Sequence, residues 1–212
     1  MNILEQAVES YLRDLQPERS EVMREMEEHA ERDSVPIVEW ETGRLLAVLC
    51  RVLDPVVLEV GTAIGYSTLH MAQELDQGRI VTLERDPERA AQARSYLERA
   101  GVADRVEIVE GDALETLPGL DGPFDLLFVD ATKGEYERYI ELAEPKLSKR
   151  AVVAIDNLLM QGQVARPDGG GTGWRPESLE AARRLNAELL RSEEWLGSVL
   201  SVGDGVGLAV RR

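Results

Sequence analysis

Five short runs of aliphatic and β-branched residues follow Pro55, each succeeded by a helix-like segment. They are Val56 to Val60, Arg79 to Leu83, Arg105 to Val109, Asp125 to Val129 and Ala151 to Ile155. Between them lie helical stretches of about Tyr66 to Leu75, Pro87 to Ala100, a short turn near Ala113 to Leu117, and Glu135 to Leu147. Near-continuous apolar strands are covered on both faces, and strand-helix alternation joins them in a parallel sheet. The expected fold is α/β, a Rossmann-like doubly wound sheet. Helices at about Ile3 to Leu15, Glu18 to Arg32 and Glu41 to Leu53 come first, and their apolar positions recur at three- and four-residue steps. After a glycine-rich stretch from Gly162 to Gly173 come a helix from Pro176 to Arg191 and two short strands, Ser198 to Val202 and Val206 to Val210. Those strands flank Gly203-Asp204-Gly205 and read as a hairpin. A chain of 212 residues suits one core, so the division expected is a single domain, with residues 1–54 as a helical cap and 55–212 as the Rossmann-like body.

Charge narrows the partners. Asp and Glu number 40 against 24 Lys and Arg, a formal charge of -16, which disfavours phosphate-rich ligands such as nucleic acid. The single cysteine, Cys50, sits in an apolar run and reads as a buried thiol. Neither a signal-peptide pattern nor an apolar run long enough for a membrane span is seen, so a cytoplasmic protein without membrane contact is expected.

In an open α/β sheet the ligand binds beyond the carboxyl ends of the strands. Glu59, Glu84, Asp112, Asp130 and Asp156 stand there, one carboxylate for each strand. Asp is also a common N-cap, and any one of the five could serve only that. The first strand-to-helix junction, Glu59-Val60-Gly61-Thr62-Ala63-Ile64-Gly65, is a turn where backbone can approach a ligand, but it lacks the glycine spacing of dinucleotide binders and the Lys-Ser/Thr of a P-loop. Glu84, about twenty residues on, is placed for ribose hydroxyls. An acidic pocket repels a pyrophosphate and tolerates ammonium and sulfonium charges, so S-adenosylmethionine fits better than NAD. Asp130, Asp156 and Asn157 at neighbouring strand ends offer hard oxygens suited to Mg²⁺ or a related divalent ion, or else cap local turns.

Leu58-Glu59-Val60-Gly61-Thr62-Ala63-Ile64-Gly65-Tyr66-Ser67-Thr68, Val129-Asp130-Ala131-Thr132-Lys133 and Asp156-Asn157-Leu158-Leu159 followed by Gly162 resemble motifs of the cation-dependent class I O-methyltransferases, the catechol and caffeoyl-CoA type with its small bacterial relatives. The likeness covers nearly the whole chain. It implies seven strands with the last antiparallel, the hairpin supplying the sixth and seventh. By position it implies that Glu59 and the Gly61 to Gly65 turn hold the methionine part of S-adenosylmethionine, Ser67 its carboxylate, Glu84 the ribose, and Asp112 with Ala113 the adenine edge. Val38 contacts the cofactor through backbone and Asp130 borders it. Asp130, Asp156 and Asn157 match the metal ligands, with Mg²⁺, Mn²⁺ or Ca²⁺ as candidates, and Lys133 matches the proposed general base. Where relatives have a Gly-Gly turn before the fifth strand this chain has Lys149-Arg150, read as a surface turn. The Pro167 to Trp174 loop falls where relatives face the acceptor, and Trp174 is placed to cover an aromatic ring.

The reaction so implied is methyl transfer to a hydroxyl of a small, catechol-like or hydroxycinnamoyl-like acceptor. A tRNA hydroxyuridine O-methyltransferase, for which Arg183, Arg184 and Arg191 would form a patch, and a non-catalytic cofactor-binding protein are the alternatives. The family likeness further implies a homodimer. His70 reads as a packed helical residue, His29 as a partner for Glu25 or Glu28, and Met23 and Met26 as packing.

Overall fold

Val57, Leu58, Glu59 and Val60 are all buried in β1 (Val56–Val60), because strands occupy both of its edges and helices both of its faces. The computed structural model describes residues 6–166 and 173–212. The remaining strands are β2 (Arg79–Glu84), β3 (Val106–Glu110), β4 (Phe124–Val129), β5 (Leu147–Ile155), β6 (Trp195–Leu200) and β7 (Val206–Arg211). The helices are α1 (Gln6–Asp14), α2 (Glu21–Asp33), α3 (Trp40–Leu53), α4 (Tyr66–Ala72), α5 (Pro87–Arg99), α6 (Ala113–Thr116), α7 (Tyr136–Ala143) and α8 (Pro176–Arg191).

The seven strands form one sheet in the order β3-β2-β1-β4-β5-β7-β6. The first five are parallel, and β7 runs antiparallel between β5 and β6, so the expected topology and hairpin are found. The chain leaves β1 toward β2 and β3, then crosses back to β4, which makes a topological switch point beside β1. Register places Val60 opposite both Leu83 and Val129, and Val129 opposite Ile155. Gly61, Glu84, Asp130 and Asp156, each one residue further, therefore emerge together at one edge.

Alternate side chains point to opposite faces and seed two cores. Leu58, Val60, Leu127 and Val129 meet Tyr136, Tyr139, Leu179 and Leu185 on one side. Val57, Leu126, Phe128 and Ala154 meet Met26, Leu46, Cys50, Leu69 and Leu97 on the other. Each fully buried aliphatic or aromatic side chain contributes roughly 1.5–3 kcal/mol relative to exposure. Met23 and Met26 do pack, and α2 and α3 are built into the second core. On α2, Ser20 caps the first turn by accepting from the Met23 amide at 3.2 Å.

Local differences from the expectations have physical causes. Lys149 and Arg150 belong to β5, where an exposed irregularity lets Phe124 pair with Leu147 while Leu126 already pairs with Val152; no turn separates them from the strand. The helix expected to reach Leu147 ends at Ala143, and Pro145 sits in the 3-10 turn that follows. β3, at the sheet edge, is only half-buried. His29 pairs with neither Glu25 nor Glu28: Nδ1 lies 2.9 Å from Tyr96 Oη and Nε2 3.2 Å from Asp33. Val8, Tyr11 and Leu12 of α1 and Leu15 just after it are exposed, because no other element among the described residues covers them; Ile3 and Leu4 lie outside the described residues. Among the described residues, no helix is long and apolar enough to cross a membrane.

Candidate active site

Gly61 (φ 105°) turns the chain off β1 where no side chain fits, since a Cβ there would stand 2.1 Å from the Asp130 carbonyl oxygen. Its amide and that of Thr62 both donate to the Leu83 carbonyl, each at 3.1 Å, and Asp130 N donates to Val60 O at 2.9 Å. The turn is thus laced to both neighbouring strands. Over it opens a cavity of about 380 Å³, within the roughly 300–1,000 Å³ of small-molecule sites. Val38, Gly61, Ser67, Glu84, Asp112, Ala113, Asp130 and Lys133 line it, joined by Thr62, Ala63, Arg85, Arg89, Tyr139 and Trp174.

Glu59 and Gly65 stand behind the wall of this cavity. Glu59 is fully buried; Ser67 Oγ donates to one carboxylate oxygen and Thr68 Oγ1 to the other, each at 2.5 Å. Burial pushes its pKa up to about 7 against those hydrogen bonds. Gly65 (φ 87°) packs toward Ala93 of α5, where a Cβ would sit 3.2 Å from the alanine methyl. Glu84, at the end of β2, accepts from the Ala63 amide at 2.8 Å and the Asp86 amide at 2.9 Å, which fixes it beside the turn. Asp112 is an N-cap, taking the Leu114 amide at 2.8 Å, and it also faces the cavity.

The other end of the site is acidic. Asp130 Oδ1 receives Lys133 Nζ at 2.5 Å, and the same ammonium lies 2.8 Å from Tyr136 Oη. Asp156 is 1% exposed and its Oδ1 has no hydrogen-bond partner among the described residues. Burial raises its pKa well above the carboxylate range, and the negative charges of Asp130 and Glu39 push the same way. Asn157 follows in a left-handed conformation (φ 60°). Among the described residues no three His, Cys, Asp or Glu side chains are arranged to hold a metal ion. The expected set consists of two carboxylates and a carboxamide, and a partnerless buried carboxylate oxygen within it suits a hard cation.

Several contributors escaped sequence reasoning. Thr82, a hydroxyl inside an otherwise aliphatic run, lies 2.6 Å from Thr62 Oγ1 and also supports Glu59. Its polarity within a buried strand was the available signal. Tyr136 and Glu39 belong to segments with no motif. Trp174 does line the cavity, whereas residues 167–172 of its loop lie outside the described residues. His70 is packed, 3% exposed and edge-on to Tyr66, with a pKa lowered to about 4 by burial.

A seven-stranded sheet of this order, with a nucleoside-sized cavity at the β1/β4 switch point, defines a class I methyltransferase fold. The chain matches the family described as O-methyltransferase over residues 13–212. It is 45% identical to a catechol O-methyltransferase of Mycobacterium tuberculosis over 130 residues, 60% of this chain and 59% of that one. A catechol O-methyltransferase of Niastella koreensis is 37% identical over 79% of this chain and 77% of its own. Among solved structures, the O-methyltransferase TomG of Streptomyces achromogenes, in complex with SAM, superposes with a TM-score of 0.84 at 31% identity over 99% of both chains. The Bacillus cereus O-methyltransferase in complex with SAH gives 0.83 at 29% over 97% of each. The chain belongs to the O-methyltransferase family, enzymes dependent on S-adenosylmethionine.

Proposed function

We propose that this O-methyltransferase methylates a hydroxyl of a small aromatic acceptor, catechol-like or hydroxycinnamoyl-like, with S-adenosylmethionine as donor and a divalent cation, Mg²⁺ foremost, held by Asp130, Asp156 and Asn157. The observation that carries the reading is the partnerless, buried Oδ1 of Asp156 beside Asp130, at the end of a cavity lined by Glu84 and Asp112. When bound, the cofactor supplies an electrophilic methyl group and the cation lowers a phenol pKa from its usual value of about 10. Glu84 accepts from ribose hydroxyls, Asp112 and Ala113 bound the adenine edge, and Val38 closes the pocket from the cap. Glu59 stiffens the turn from below through Ser67 and Thr68. Lys133 Nζ, held between Asp130 and Tyr136, takes the acceptor's proton when it is present as the neutral amine.

Catechol and S-adenosylmethionine incubated with EDTA-treated protein give the test. Methylation absent after chelation and restored by Mg²⁺ is expected, and full turnover without metal overturns the cation's role. The wider setting belongs to the same proposal. Residues before Pro55 act as a cap on a single domain, and Cys50, buried with its pKa pushed up to about 12, suits a cytoplasmic enzyme. The exposed apolar faces of α1 and α3, including Tyr11, Leu15 and Val52, support a homodimer, which gel filtration at several concentrations tests. Nucleic acid is the less favoured acceptor on this reading: Arg184 is paired with Glu137 at 2.8 Å and Arg183 donates to the Val164 and Arg166 carbonyls, so both guanidinium groups are already engaged.

A further inference from the structure

The segment that carries Asn157 is held in a conformation its residues do not favour. Asn157, Met160 and Gln161 have φ of 60°, 44° and 53°, a region that residues such as Met and Gln seldom adopt and that persists only where surrounding contacts impose it. The β6–β7 turn imposes it. Leu158 N donates to Gly205 O at 2.9 Å, Leu159 N to Asp204 O at 3.0 Å, and the Gln161 amide to the Asp204 carboxylate. Gly205 has no room for a side chain, since a Cβ there would meet Leu159 Cγ at 2.4 Å. Asp204 is 7% exposed, and the Asn157 side chain interacts with its carboxylate.

A carboxylate accepts only, so what Asn157 can offer it is the carboxamide N–H. We infer that Asp204 is a positioning residue for Asn157: by taking the carboxamide N–H and the Gln161 amide together, it fixes the amide's orientation and leaves the carboxamide oxygen as the donor for a cation. This rests on the metal reading of Asp130, Asp156 and Asn157. Partners of this kind orient ligands, and their loss typically weakens metal affinity about 10–100-fold. The hairpin, remote in sequence from every motif, thereby becomes part of the site.

The test compares full-length wild type, Asp204→Asn and Asn157→Ala by Mn²⁺ titration followed by electron paramagnetic resonance, with S-adenosylhomocysteine affinity and thermal melting measured alongside. Asp204→Asn keeps the size and one acceptor oxygen but adds an N–H group that competes for orientation. The expected result is Mn²⁺ affinity reduced about 10-fold or more, with S-adenosylhomocysteine affinity and melting temperature near wild type. In the metal-free protein, the Asn157 side-chain amide resonances, assigned by their absence in Asn157→Ala, should exchange slowly with solvent in wild type and fast in Asp204→Asn. Wild-type Mn²⁺ affinity and slow exchange in Asp204→Asn overturn the inference alone. A wild type that binds no Mn²⁺ overturns the metal reading and the inference with it. If Asp204→Asn is too unstable to purify, Asp204→Glu gives the same comparison with the charge kept and the reach changed, and unaltered metal affinity in that variant counts against the inference.

Discussion

Ser67 Oγ donates to Glu59 Oε1 across 2.5 Å, tying the second residue of α4 to the penultimate residue of β1. With Thr68 on the other oxygen, the buried carboxylate becomes the peg on which the Gly61–Gly65 turn hangs. The turn is therefore held from beneath by side chains and from the sides by the Leu83 and Asp130 backbones, which leaves its upper surface free for ligand.

Glu59 should make stability depend on pH. Its folded-state pKa, about 7, lies above its ordinary 4.5, so the native state binds the extra proton between those values. Stability from this group is fully present below about pH 4.5 and is lost as pH rises through 7. The difference in unfolding free energy between wild type and Glu59→Gln should fall by about 3 kcal/mol across that window. Urea melts of both proteins at closely spaced pH values check the slope; parallel curves would show that Glu59 is ionised throughout.

Gly61→Ala places a methyl group against the Asp130 carbonyl in a left-handed conformation. Local shift of the β1 and β4 ends is forced, with destabilisation of roughly 1–3 kcal/mol and a large loss of S-adenosylhomocysteine affinity. Calorimetric titration and thermal melting measure both.

Lys133→Met removes the proposed proton acceptor and should lower kcat by about 10²–10⁴-fold with little change in cofactor affinity. Tyr136→Phe deletes only the hydroxyl 2.8 Å from the ammonium and preserves the buried ring, so a smaller fall in kcat is expected without change in fold. Steady-state kinetics on both variants decide whether Lys133 takes part in chemistry.

Asp156→Ala takes away the buried carboxyl whose Oδ1 has no hydrogen-bond partner among the described residues, together with its repulsion with Asp130 and Glu39. Because burying a carboxyl beside two other acids is costly, the metal-free variant should be at least as stable as wild type, while Mg²⁺-dependent methylation is abolished. Melting with and without Mg²⁺ separates the effects: the ion should raise the wild-type melting temperature and leave the variant's unchanged.

Tyr66 Oη donates to Glu27, which also binds Arg19 at 3.0 Å, so α2 is latched onto the residue that follows Gly65. Tyr66→Phe should loosen the cap and raise KM for S-adenosylmethionine several-fold with kcat little changed. Limited proteolysis near Arg19, faster in the variant, gives an independent readout.

Much of this protein was legible as a string of residues, because strand and helix periodicity and the turn chemistry at Gly61 are local. The apolar runs, the 203–205 hairpin and the α8 limits at Pro176 and Arg191 are decided within a few residues of themselves. So is the procession of acids at strand ends, since a parallel sheet brings the residue after each strand to one edge whatever lies between. What the chain alone could not decide was each acid's condition. Glu59 and Asp156 are both buried acids close to that edge, yet Glu59 lies inside β1 with both oxygens taken by Ser67 and Thr68 and Asp156 has an oxygen with no partner among the described residues, and only packing distributes those partners. Long-range approach likewise brought Asp204 to the Asn157 segment and Glu27 to Tyr66, contacts spanning 39 residues or more. Sequence determined which groups reach the ligand edge, since that is topology; tertiary structure decided which are spoken for and which remain to bind, since hydrogen bonding and burial depend on neighbours far along the chain.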